Sequence, residues 1–299
     1  MQDAKDATQV KIVTKLLAVV PDWDPINDGI LHGSGLEWEG TPGESRIKVV
    51  ALMDRGTYVK HYESGMEKEE FTLTKSLWVT VVPQMTNFFI GKKECPPDVY
   101  RVVKAMGLHP AWDYDILLEM WVHPKDLFRP SPDPEITDHE GELAKRNSEG
   151  TWIFPSDLNR FLTIDDNIKF IDRSAKEPDW STNVLTFKEW FIALYQKQYG
   201  TGNPDDPPND WGYPWTRLGY TYDWGNPDSD LGLSEFIIRI DPNKLVNPED
   251  PEGQKGALIV KLIRAIDRKD PEAWNGYFRC VREDAGGGSS GGCFVKTPQ

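Results

Sequence analysis

Residues 211–241 read WGYPWTRLGYTYDWGNPDSDLGLSEFIIRID, and the rest of the chain is organised around them. Six aromatic residues fall in the first fourteen positions of the stretch. Successive side chains on a strand point to opposite faces. On that period Leu218, Tyr220, Tyr222 and Trp224 share one face, and Arg217, Gly219, Thr221 and Asp223 the other. Residues 225–232 are mostly Asn, Pro, Asp, Ser and Gly, which is turn chemistry. Beyond the turn, Phe236, Ile238 and Ile240 alternate with Glu235, Ile237 and Arg239. The pattern predicts adjacent strands over 217–224 and 234–240 with a buried aromatic-aliphatic face. Arg217, Asp223, Glu235 and Arg239 then fall on the open face.

Working outward, apolar alternation predicts strands over 46–53, 56–62, 76–82 and 116–122, with a weaker one at 167–172. Helices are expected over 8–20, where Pro21 stops an apolar stripe, from Pro83 through PQMTNFF, and over 97–106 before Gly107. The segment 151–162 reads as a short strand and then a helix. The clearest helix spans 186–199, where Thr186 and Glu189 form a capping box. GALIVKLIRAID at 256–267 reads as a late helix, and YFRCV and CFVK as a closing hairpin. The Pro-rich, acidic run near 129–150 predicts a long exposed loop, and the Gly/Ser run at 284–292 a mobile one.

The whole describes one α+β domain over 1–299, with an antiparallel or mixed sheet, packed helices and long irregular loops. The late strands need earlier ones as partners, which argues against a split into two domains.

Acidic residues outnumber Lys and Arg by 48 to 34, for a net charge of −14. That balance argues against a sequence-independent hold on nucleic acid or an anionic membrane, although a local cationic patch is compatible with it. No apolar run approaches the ~20 residues of a membrane span. The polar start MQDAKDATQ fits a cytoplasmic chain or a secreted one without its signal peptide. Cys280 and Cys293 flank a Gly/Ser run and read either as a disulfide-closed hairpin or as two reduced thiols.

The five histidines form no HExxH, and GxSxG, P-loop and dinucleotide fingerprints are missing. Asp228, Asp230 and Glu235 do not follow the calcium-loop pattern, because Leu231 stands where glycine is required. No metal site is expected.

A distributed series carries a different signal. Arg55 ends VVALMDRG, Thr80 sits in LWVTVV ahead of a short helix, and Glu235 opens EFII after an acidic turn. This order resembles the arginine, serine-threonine, glutamate series of ADP-ribosyltransferases. The resemblance implies NAD as substrate. Arg55 then positions NAD, Thr80 braces the pocket, Glu235 stabilises the ribosyl cation, and Tyr220 or Trp224 stacks on nicotinamide. Chemically, a carboxylate belongs near the electron-deficient carbon and a cation near the pyrophosphate. The series departs from the family in having Thr80 alone between Val79 and Val81, and Leu233 where a second Glu or Gln stands.

Arg217 or Arg239, on the same expected face, is a candidate for keeping Glu235 ionised. An effector or toxin of this class is therefore one functional expectation. The alternative is a non-catalytic, Trp-rich binding module for a glycan or protein partner. A purely structural role is a third.

Overall fold

The computed structural model describes residues 12–14, 17–20, 36–109, 113–137, 140–142, 145–146, 149, 151–153, 169–171, 184–199, 216–227, 231–246, 249 and 255–278. Through residue 122 the elements are β1 Ile12–Thr14, β2 Ile47–Met53, α1 Arg55–His61, β3 Phe71–Leu73, β4 Trp78–Val81, α2 Gln84–Gly91, α3 Val99–Ala105 and β5 Ile116–Val122. The middle of the chain supplies β6 Leu127–Phe128, β7 Glu140–Glu142, β8 Lys145–Arg146, β9 Trp152–Ile153, β10 Lys169–Ile171, β11 Val184–Thr186 and α4 Phe187–Tyr199. Last come β12 Tyr220–Tyr222, β13 Leu231–Ser234, β14 Phe236–Ile238, β15 Asp241–Leu245, β16 Lys255–Asp267 and α5 Pro271–Tyr277.

The α+β class holds. Seven strands line up as β15-β16-β5-β2-β4-β14-β6, and β3 adds to β16. Every pairing among them is antiparallel. The sheet is apolar on both faces. Val49, Ala51, Val81, Leu118, Met120, Phe236 and Ile238 join one core cluster. Val50, Leu52 and Leu117 join a second, with Met85, Phe88 and Phe89 of α2, Val102 and Val103 of α3, and Trp274 and Tyr277 of α5.

Several expectations are corrected. The apolar segment 256–267 is the long strand β16, not a helix. Its register slips between Leu262 and Arg264. A bulge moves later residues to the other face. Leu258, Val260 and Leu262 therefore serve the first cluster and Ile266 the second, which destroys the period-two signal. Residues 55–61 form a helix rather than a strand, because the Asp54 side chain accepts from Thr57 N–H at 2.8 Å and caps it. Residues 12–14 of the expected 8–20 helix are a strand paired with β7. Residues 129–134, expected to be exposed, are buried.

Other readings stand. The capping box on α4 forms, with Thr186 N–H donating to Glu189 at 2.8 Å and Glu189 N–H donating to Thr186 Oγ1 at 3.3 Å. Cys95 is disulfide-bonded. Of the expected closing hairpin, Tyr277 ends helix α5 and Phe278 caps it instead of starting a strand; its remaining residues, Cys280, Cys293 and the 284–292 loop lie outside the described residues. Among the described residues no helix is long and apolar enough to cross a membrane.

Candidate functional site

The opening stretch divides at Glu235. β13 pairs with β12 as a separate hairpin, Tyr220 opposite Ser234 and Tyr222 opposite Leu231. β14 instead joins the main sheet between β4 and β6. The two expected strands are thus replaced by a hairpin and a sheet strand that meet at one residue. Glu235 N–H donates to the Gly219 carbonyl at 2.9 Å and ties the two together.

The polar row assigned to the open face is buried. Arg217, Thr221 and Asp223 are 1%, 6% and 0% exposed. The reason is that α3 covers Thr221 and Asp223, and α4 covers Arg217. Thr221 donates to the Ala105 carbonyl at 2.5 Å, capping a carbonyl at the helix end, and accepts from Leu233 N–H. Arg101 holds Asp223 with two bonds of 2.8 Å. Arg217 lies over the Tyr195 ring of α4, 5.3 Å from its centroid, with its own φ at +64°. Gly219, at φ +77°, faces Arg129, whose Cδ would lie 2.8 Å from an added Cβ.

Thr80 and Glu235 come together. Phe236 is opposite Val79, and the same register carried back one residue sets Glu235 opposite Thr80. Thr80 donates to Gln84 at 3.0 Å, and Gln84 in turn binds the Ser234 hydroxyl and backbone N–H, each at 3.0 Å. Part of Glu235 reaches the surface, but its Oε2 is buried and makes no hydrogen bond. Desolvation by burial raises its carboxyl well above the usual range. Neither Arg217 nor Arg239 offsets this, contrary to the expectation from the sequence.

The other members of the series are elsewhere. Arg55 pairs with Asp267 at the end of β16. Met53 is opposite Ile116, and Ile116 opposite Asp267, so Arg55 reaches across β5, away from β14. Strand spacings of ~4.8 Å and a rise of ~3.3 Å per residue put the Arg55 and Glu235 backbones roughly 20 Å apart. Tyr220 is buried inside the hairpin. Trp224 meets Tyr100 edge-on at 5.7 Å and 89°, with Lys104 over both rings. These rings offer no flat stacking platform.

The register also shows a feature that the sequence does not. Arg264, Glu119, Val50 and Thr80 lie in one row across four strands, and Glu235 continues it. Glu119 is fully buried and is held by Arg264 at 2.7 and 3.3 Å. A buried carboxylate of this kind requires its partner.

A groove of about 770 Å³ opens at the opposite end of the sheet from Arg55, where β2 begins and β5 ends. Leu258 and Ile259 of β16 line it together with Arg46, His123, Lys125 and Arg239. Its carboxylates are Glu39, Glu70, Asp126 and Asp241. Arg46 is committed to Glu39 at 2.5 and 3.0 Å. None of these residues was singled out from sequence as a groove, because they come from five separated segments. Only Arg239 stood out, and for another role. Among the described residues no group of three or more His, Cys, Asp or Glu side chains is arranged to hold a metal. No family model matches the chain, and no curated protein or solved structure matches it either.

Proposed function

We propose that this chain is a non-catalytic binding module whose ligand seats in the groove between Arg46, His123 and Arg239. The observation that carries the reading is the groove itself. Its volume of about 770 Å³ falls in the range of small-molecule sites. It combines an apolar strip, Leu258 and Ile259, with charged groups on several walls. The glycan arm of the binding reading draws no support from Trp224 and Tyr100, which are perpendicular and covered by Lys104.

The test is a thermal-shift screen of amino acids, carboxylates, phosphates, sugars and short peptides. A ligand at a hundredfold excess over Kd adds about 2.7 kcal/mol, a rise of several degrees for a chain of this length. The shift should vanish in Ile259→Trp, which fills the groove. A panel with no stabilising member, or a stabiliser that acts equally on Ile259→Trp, would overturn the reading.

A second reading, the ADP-ribosyltransferase-like enzyme, is favoured by one observation. Thr80 lies opposite Glu235 and shares the Gln84–Ser234 network beside it. Two others weigh against it. Arg55 is engaged at the far end of the sheet. Burial makes the Glu235 carboxyl harder to ionise, and it must be ionised to stabilise a ribosyl cation. Incubation with NAD decides. Nicotinamide release by the wild type that is lost in Glu235→Gln supports the enzyme. No release from either protein, with or without cell extract as acceptor, ends that reading.

A further inference from the structure

Among the described residues, the groove keeps two cationic side chains without an ion-pair partner, Arg239 and Lys125, in a chain of net charge −14. Four of its charged groups are already used. Glu39 is bound by Arg46 and lies 3.6 Å from Lys261. Asp126 and Asp241 also have partners. The remainder differ. Among the described residues the side chains of Arg239, Lys125 and His123 make no hydrogen bond or ion pair, and against them stands one carboxylate in the same condition, Glu70.

The two cations and the imidazole are held in one corner by backbone. His123 and Lys125 belong to the turn that follows β5, and Pro124–Asp126 winds it into a single helical turn. Arg239 follows β14, and its N–H donates to the Asp126 carbonyl at 2.8 Å. That bond fixes the Arg239 segment to the Lys125 segment. Lys125 is exposed, whereas His123 and Arg239 are half-buried. The corner therefore offers a planar fork, a point charge and an imidazole along a partly dry wall. An arginine fork matches the paired oxygens of carboxylate and phosphate, and lysine adds charge without geometric demand.

We infer that the groove takes a small, multiply charged oxyanion, a phosphate ester or a di- or tricarboxylate, through Arg239, Lys125 and His123. This rests on the groove being the ligand seat, and it adds the class of ligand. The rest of the molecule repels anions at long range, so only these short contacts can retain one. Glu70, also in the lining, disfavours a ligand that is anionic throughout and tolerates one with a cationic group.

Calorimetric titration with inorganic phosphate and, separately, with citrate tests the inference at low salt. Binding of either by the wild type is expected, weakened about tenfold or more in Arg239→Ala and less in Arg239→Lys. Lys125→Ala, at an exposed position, gives an independent loss in a variant whose fold is not at risk. Lys75→Ala, at an exposed position outside the groove lining, should change nothing. Phosphate binding alone assigns the ester class, and citrate binding alone the carboxylate class. The inference is overturned if neither binds the wild type, or if Arg239→Ala and Lys125→Ala both bind as tightly as the wild type. A screen that returns only neutral or cationic ligands, each blocked by Ile259→Trp, also overturns it but leaves the groove as the seat. A screen in which nothing binds removes both.

Discussion

Glu235 is where two pairings part. The residue before it belongs to the hairpin, and the residue after it to the main sheet. Its carboxyl holds its proton more tightly than usual because burial penalises the charge and no donor to Oε2 offsets the penalty. The sign of the pH dependence follows. The folded value lies above the ordinary 4.5, so the native state binds the proton more tightly than the unfolded chain. The stability contributed is full below about 4.5 and is lost as pH rises from there through the raised folded value. Glu235→Gln removes that loss. The variant should match the wild type within ~1 kcal/mol at pH 4 and equal or exceed it at pH 8, by urea denaturation at each pH. A variant less stable than wild type at pH 8 by more than ~1 kcal/mol would mean that the carboxylate is ionised and paired. The residue was legible in the sequence as an acidic side chain opening an apolar strand. Its protonation was not, because burial depends on the elements that cover it.

At the scale of elements, the β12–β13 hairpin is docked rather than woven into the sheet. Its anchors on α3 are the Arg101–Asp223 pair and the Thr221–Ala105 hydrogen bond. Gly232 permits the close approach, since a Cβ there would meet the Ala105 carbonyl at 2.3 Å. Arg101→Ala strands a fully buried carboxylate, and Lys92 at 3.8 Å replaces only part of the lost pair. The expected cost is about 3 kcal/mol. Amide exchange should locate the effect, with the 220–222 and 231–234 amides opening faster while those of 47–53 and 116–122 stay protected. Unchanged protection across the hairpin would show that apolar packing, not the ion pair, holds it down. Sequence periodicity locates the first strand of this hairpin, but reads the start of the second, 231–234, as turn and expects the partner over 234–240. The apolar phase shifts from Leu231 and Leu233 to Phe236 and Ile238 across Ser234 and Glu235, which is where the change of partner falls.

For the whole molecule, a covalent tie is made at Cys95, which stands between α2 and α3 and is disulfide-bonded. Reduction should lower stability by about 2–4 kcal/mol, read as an earlier denaturation midpoint in dithiothreitol. An identical midpoint with and without reductant would count against a structural role for the bond.

What the sequence by itself determined is local. Residues 47–53 and 116–122 are apolar runs of strand length, read as strands, and they are neighbours in the sheet. The capping box set the start of α4, and the turn residues after Trp224 set the hairpin. Tertiary structure decided the rest. Period two tells which of Arg217, Thr221 and Asp223 share a face, but not that α3 and α4 will lie on that face. A bulge in β16 moved its apolar residues between two cores and hid the strand from any periodic reading. The groove exists only where five distant segments end together. Periodicity records which side chains point the same way; what they meet is set by partners far away in the chain.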